Sequence, residues 1–161
     1  MPINIRVGFG FDVHRLEAGE QMILGGISIP SQKKATGHSD ADVLIHAICD
    51  AILGAAGLRD IGVHFPNTDN SIKGIDSKIL LQKTMDMVHK EGYRIGNIDA
   101  TVCLENPKIN PHIGAIKKIL APILDTPESN IGIKATTNEG LGYVGREDGV
   151  NAYAVVLLIG E

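Results

Sequence analysis

The spacing of apolar residues divides the chain into strands alternating with helices. Residues 3 to 14 carry a strand pattern. "MILGGISIP" sets two short apolar runs around Gly25-Gly26, the tight-turn pair of a β-hairpin. "HSDADVLIHAICDAILGAAG" changes to helical spacing, with Ser39 and Asp42 as a capping-box-like start and Gly57 as the stop. This helix is apolar almost all round, which predicts burial. A second helix is expected over about residues 76 to 91, ending at Gly92. Residues 96 to 104 return to period two through Ile98, Ala100, Val102 and Leu104.

After the turn "ENPKINP", Asn110 and Pro111 read as the N-cap and first turn of a helix. Its Ile113, Ile116, Leu120 and Ile123 share a face, with Pro122 bending or ending it. Residues 131 to 136 form a strand, and "GVNAYAVVLLIG" is a last strand apolar on both faces, suited to the centre of a sheet or to a subunit contact. The sum is an α/β (α+β) sandwich: one mixed sheet with helices on one face. No further helices remain to cover the other sheet face, so an oligomer is the economical expectation.

Size and charge narrow the class. At 161 residues, 43% hydrophobic and 21% charged, the chain fits one globular domain spanning 1–161, without repeat or linker. The formal net charge of −4, without a basic run, gives no footprint for nucleic acid. An anionic substrate therefore needs local cations. Two cysteines, Cys49 and Cys103, lack the spacing of a disulfide framework or a Cys-rich zinc site, which fits a reducing, cytoplasmic compartment. The N-terminus lacks a signal-like core and the longest apolar run, "AYAVVLLI", is far short of a membrane span, so no membrane association is expected.

Three stretches carry candidate chemistry. In "GFDVHRL", Asp12 and His14 are two apart on a strand, so they project to the same side roughly 7 Å apart. In the first helix, Asp42, His46 and Asp50 recur at four-residue steps and form one polar edge, costly to bury unless paired or bound. Helix capping by Asp42 and a carbonyl hydrogen bond from His46 would explain part of that edge. Joined to Asp12 and His14, His46 instead completes a one-carboxylate, two-imidazole set suited to catalytic zinc with an open fourth position.

His38 and Ser39 precede the helix, where free N–H groups attract anions; capping explains Ser39 alone equally well. In "KATTNEGLGYVGRE", Gly140, Gly142 and Gly145 spell G-x-G-x-x-G. A dinucleotide site requires a helix opening at those glycines and an acidic residue about 20 positions on, whereas here a turn and a strand follow. What remains is Thr136, Thr137 and Glu139 at a strand end, the last a hard oxygen ligand suited to Mg²⁺ between phosphates, or simply a polar turn.

Together "GFDVH", "GHSDADVLIHAICDAILGAAGLRDIG", "FPNTD", "ENPK" and "KATTNEGLGYVGREDG" closely resemble the 2-C-methyl-D-erythritol 2,4-cyclodiphosphate synthase family, with the blocks in order over essentially the whole chain. The resemblance implies a homotrimer with active sites at subunit interfaces. Its reaction turns 4-diphosphocytidyl-2-C-methyl-D-erythritol 2-phosphate into the cyclic diphosphate and CMP, a step of non-mevalonate isoprenoid synthesis. By the same resemblance, Asp12, His14 and His46 bind Zn²⁺, and Glu139 binds Mg²⁺ or Mn²⁺ between the substrate phosphates. His38 and Thr137 fall at positions of transition-state stabilisation, with Ser39 beside them and Val13 between two metal ligands.

Asp60, Ile61 and Gly62, with Phe65, Pro66, Asn67, Thr68 and Asp69, match the methylerythritol-binding segment. Leu104, Glu105, Asn106, Pro107, Lys108, Ile109 and Asn110 match the cytidine and diphosphate pocket of the neighbouring subunit, together with Thr136, Thr137, Asn138 and Glu139. Lys108 reads almost equally well as a solvated turn lysine. Asn67 and Asn138 stand where many family members have aspartate and threonine. Tyr143 and Arg146 match positions near the substrate and the trimer-axis cavity, where some family members hold an isoprenoid diphosphate. Some members are fused to a cytidylyltransferase domain, for which this length leaves no room. A zinc phosphoesterase and a non-catalytic nucleotide or isoprenoid binder are the rival readings of the same residues.

Overall fold

A computed structural model describes residues 4–160. Its main sheet has the order β4 (Lys33–Thr36), β1 (Ile5–Ala18), β7 (Gly149–Gly160), β5 (Tyr93–Cys103) and β6 (Ile131–Thr136). The long strands β1, β7 and β5 form its antiparallel middle, and β6 joins β5 in parallel. A short edge strand, β4, pairs with the end of β1; its polar "KKAT" carries no apolar alternation and was not legible beforehand. The hairpin β2 (Gln21–Leu24) and β3 (Ile27–Pro30) turns at Gly25-Gly26 as expected, both with positive φ (59° and 81°), which side chains disfavour and glycine accepts.

Helices α1 (Val43–Ala56), α3 (Ser77–Lys90) and α4 (Ile113–Ile123) complete the core with the sheet. α1 is buried along most of its length and ends at Gly57 in the left-handed conformation. Its start corrects the expected capping box. Asp42 is the N-cap itself, accepting from the Ile45 N–H, so the helix opens at Val43 and Ser39 lies outside it. His38 and Ser39 therefore do not sit on a free helix terminus.

Other boundaries also move. β1 begins at Ile5 and runs on to Ala18, with residue 3 of the expected strand outside the described residues, and β5 starts at Tyr93 with a bulge between Ile95 and Asn97. Asn110 caps nothing: it opens a 3₁₀ turn, Asn110–His112, that leads into α4. Pro122 sits in the last turn of α4, one residue before its end. A one-turn helix α2 (Ile61–His64) interrupts the expected loop. Another, α5 (Gly142–Gly145), does open within the glycine motif, but it is four residues long and feeds an antiparallel strand, so no dinucleotide unit forms.

The two faces of β1 explain the placement of the site. Gly8 and Gly10 face α1, and a Cβ on them would overlap the carbonyl oxygens of Ala51 and Ala47. Bare glycines opposite small residues let helix and strand approach closely. Asp12 and His14 follow on the same face, so the close approach brings His46, next to Ala47, against them. The opposite face is left open and apolar: Val7 (65%), Phe9 (63%), Phe11, Val13, Tyr153 and Val155 are exposed, with Tyr153 packed between the rings of Phe9 and Phe11.

Candidate metal centre and active site

The polar edge of α1 resolves into three anchors with different partners. Asp42, fully buried, accepts from the N–H groups of Gly25 (2.9 Å), Gly26 (2.7 Å) and Ile45 (3.1 Å), tying the hairpin turn to the helix start. Burial pushes its carboxyl pKa up, while those N–H donors favour the ionised form. Asp50 accepts from the Ile61 N–H at 2.8 Å and fixes α2. The His46 ring turns instead to β1, to Asp12 and His14.

We expect Asp42→Ala to lower stability by about 3–5 kcal/mol, because two buried N–H donors and one half-buried one lose their acceptor at about 1–3 kcal/mol each before any relaxation. Urea denaturation checks this, and a loss within about 0.5 kcal/mol, that of an ordinary surface substitution, would contradict it.

At the end of the glycine track, Asp12 Oδ2 lies 2.8 Å from His14 Nε2 and 3.1 Å from His46 Nδ1, and the two ring nitrogens are 3.1 Å apart. Three donor atoms thus point at one spot from β1 and α1. Such a triangle fits an ion: one point can stand about 2.0–2.1 Å from all three corners, the distance zinc keeps from nitrogen and carboxylate oxygen. Among the described residues this is the one group of three or more His, Cys, Asp or Glu side chains gathered closely enough to hold a metal. Burial opposes the charge of Asp12, but hydrogen bonds and attraction from His14 and His46 outweigh it and hold the carboxyl pKa down to about 2. His46 feels the converse. Burial pulls its pKa down, and the Asp12 carboxylate more than offsets this, so the net shift is upward.

The donors open onto a cavity of about 360 Å³ lined also by Val13, His38, Ser39, Ile61, Gly62, Phe65 and Asn67. His38 Nε2 donates to the Asp69 carbonyl at 3.1 Å, which ties this wall to the 65–69 loop, and Asp60 caps α2 through the Val63 N–H. Pro66 and Thr68 belong to the same loop without lining the cavity.

The second half of the expected site lies elsewhere on the chain. Leu104, Pro107, Lys108, Ile109, Asn110, Thr136 and Thr137 line a separate cavity of about 190 Å³ that shares no residue with the first. Beside it, Glu105 accepts from the Asn138 N–H at 2.9 Å, Thr137 Oγ1 accepts from the Glu139 N–H, and Glu139 is exposed with φ 53°. Tyr143 receives a hydrogen bond from Asn151 Nδ2, Arg146 pairs with Asp148, and Asn106 bonds Glu147. A larger surface groove of about 710 Å³, lined by Glu20, Lys33, Asn106, Pro107 and Glu147 among others, contains none of Asp12, His14, His46 and Glu139.

Two residues escaped the sequence reading. Ser77 Oγ lies 2.8 Å from His46 Nε2, and Asp40 holds both the Ser77 hydroxyl and its N–H. Asp40 stands in the quoted "HSDAD" block, but no spacing rule links it to residue 77.

Residues 5–159 match the YgbB family. The 2-C-methyl-D-erythritol 2,4-cyclodiphosphate synthase of Cytophaga hutchinsonii is 60% identical over 157 residues, covering 98% of this chain and 99% of that protein. Among solved structures, the CDP complex of Plasmodium falciparum IspF superposes with a TM-score of 0.86 at 35% identity, covering 98% of this chain and 97% of that one. The bifunctional IspDF of Campylobacter jejuni reaches 0.95 at 39% identity, covering 99% of this chain, which spans 43% of that longer one. With its match over residues 5–159 and that identity along nearly its whole length, the chain belongs to the YgbB family, which includes the 2-C-methyl-D-erythritol 2,4-cyclodiphosphate synthases.

Proposed function

We propose that this protein converts 4-diphosphocytidyl-2-C-methyl-D-erythritol 2-phosphate into 2-C-methyl-D-erythritol 2,4-cyclodiphosphate and CMP, as a phosphorus–oxygen lyase of the non-mevalonate pathway. The observation that carries the reading is the Asp12–His14–His46 triangle at the wall of a cavity large enough for a small phosphorylated polyol. In the reaction an oxygen of the 2-phosphate bonds to the β-phosphorus, the bond from that phosphorus to the bridging oxygen breaks, and CMP departs with the bridging oxygen. No outside nucleophile is consumed, so positioning and charge neutralisation carry the catalysis.

Asp12, His14 and His46 would hold Zn²⁺, and Glu139 would hold Mg²⁺ or Mn²⁺ with the substrate diphosphate. When bound, such ions polarise phosphoryl oxygens and offset developing negative charge. The chain's own groups position the substrate. Ile61, Gly62 and Phe65 enclose the methylerythritol portion, and Asn67, Thr68 and Asp69 border it. His38, whose Nε2–H is held by the Asp69 carbonyl, stands in one wall at the position proposed for transition-state stabilisation, and Ser39 presents a hydroxyl beside it. The 104–110 segment and Thr136 to Glu139 receive the cytidine and diphosphate. Thr137 offers a hydroxyl where charge accumulates.

The two sets of residues line separate cavities of one chain, which supports a site completed by a neighbouring copy. The apolar open face of β1 and β7 supports a homotrimer that covers it. The two free, buried cysteines suit the cytoplasm. Among the described residues no helix is long and apolar enough to cross a membrane.

An assay for CMP release with and without a metal chelator, run in heavy-oxygen water, tests the reading. Expected are CMP and a cyclic diphosphate free of solvent oxygen, with turnover lost on chelation and restored by zinc together with magnesium. An open-chain diphosphate bearing solvent oxygen would instead establish a hydrolase.

A further inference from the structure

His46 carries two ring nitrogens with different surroundings. Nδ1 faces Asp12 and His14; Nε2 faces the hydroxyls of Ser77 (2.8 Å) and Ser39 (3.0 Å). Only a nitrogen without a proton can ligate a metal, so the tautomer decides whether the triangle of donors works.

The proton count around Ser77 settles that tautomer. Asp40 spans Ser77 with both carboxylate oxygens: Oδ2 accepts from the Ser77 N–H at 2.9 Å, and Oδ1 accepts from the Ser77 hydroxyl and from the Asp42 N–H. An ionised carboxylate can only accept. The single hydroxyl proton of Ser77 therefore goes to Asp40, and Ser77 Oγ faces His46 with lone pairs alone. Ser77 is fully buried, so no water competes for that position. The Nε2 of His46 must then supply a proton; Nδ1, 3.1 Å from Asp12 Oδ2, gives up any proton it shares with that carboxylate when an ion binds, and turns its lone pair to the ion.

Resting on the metal-centre reading of Asp12, His14 and His46, we propose that the Asp40–Ser77 pair is the positioning device that locks His46 as the Nε2–H tautomer and so makes Nδ1 the ligand atom. Ser77 reaches His46 from α3, and Asp40 reaches Ser77 from the segment before α1, elements the metal donors do not use. Ser39 accepts from the Ala41 N–H at 3.3 Å and keeps its own proton free for the cavity. With Ser77 present at the shorter distance, Ser39 is spared from donating to the ring.

Three variants test the relay: Ser77→Ala, Ser77→Thr and Asp40→Asn, each prepared as the full chain and checked for fold by circular dichroism. In Ser77→Ala the only hydroxyl left facing Nε2 is that of Ser39, which can donate and drive the proton to Nδ1. In Asp40→Asn the amide oxygen is retained by the Ser77 N–H, so its NH₂ faces Ser77 Oγ and reverses the chain. Zinc affinity, measured by competition with a chelating dye, is expected to fall about 10–100-fold in both, the usual effect of removing an outer partner of a metal-bound histidine. Ser77→Thr keeps the hydroxyl and is expected to keep wild-type affinity.

Nitrogen NMR of the proteins with and without zinc reads whether His46 Nε2 carries a proton protected from exchange. Wild type and Ser77→Thr should show that proton, and the other two should lack it. An unchanged Nε2 proton and zinc affinity in folded Ser77→Ala and Asp40→Asn would overturn the relay, as would failure of Ser77→Thr to keep affinity. Loss of that proton in the two variants of a protein whose wild type binds no zinc would uphold the relay and defeat the metal reading instead.

Discussion

Replacing His46 by alanine is expected to remove zinc binding and to reduce turnover by about a thousandfold or more while leaving the assembly intact. Metal polarisation of a phosphoryl oxygen contributes several kcal/mol, and each 1.36 kcal/mol is about tenfold in rate. The variant removes one of three donors and also one of the two imidazoles that hold the Asp12 carboxyl pKa down to about 2. Asp12 and His14 remain on β1, but two donors on a strand do not close a site that α1 completed. Metal content and CMP release report the loss, and sedimentation reports the assembly. Full activity in a zinc-free variant would refute the metal assignment, and loss of assembly would show His46 acting through structure.

Phe9→Glu should give the opposite pattern. Phe9 is 63% exposed in one chain and belongs to the open face with Val7, Phe11, Tyr153 and Val155, so the substitution leaves the core untouched. A carboxylate in a covered apolar interface carries a desolvation penalty of several kcal/mol, repeated in every copy of a symmetric assembly. The chain is expected to sediment as a monomer and, on the proposed interfacial site, to lose turnover by about a thousandfold or more, since transition-state contacts assigned to a neighbouring chain would no longer reach the substrate. Zinc binding should survive, because Asp12, His14 and His46 all belong to one chain. A monomer with full activity would overturn the interfacial site. The two variants thus separate the proposed metal from the proposed assembly: the first is expected to keep its subunits together without zinc, the second to keep zinc as a single chain.

Period and punctuation decided most of the architecture in advance. The hairpin at Gly25-Gly26, the buried helix closing at Gly57 and the last strand at the sheet's centre follow from local preference and burial pattern. Ser39 and Asn110 both look like N-caps in isolation, yet Asp42 takes the cap of α1 while Ser39 accepts from the Ala41 N–H and faces His46, and Asn110 starts a tighter 3₁₀ turn. β4 escaped because an edge strand can be polar on both faces.

What the sequence determined by itself was the identity of the donors: Asp12 and His14 on one side of a strand, and His46 on the polar edge of a helix that had to be buried. Burial of that edge required partners, but nothing in the spacing named them. Only the tertiary structure decided that Asp42 clamps a turn, Asp50 holds α2 and His46 meets β1, because bare glycines at 8 and 10 let helix and strand close to contact. It likewise placed Ser77 and Asp40 behind His46, a contact between residues 31 and 37 positions apart along the chain that no periodicity encodes. Side-chain type and local period are written along the chain. The partner of each buried polar atom is fixed only when distant segments pack, since each must find a donor or acceptor in the space that remains.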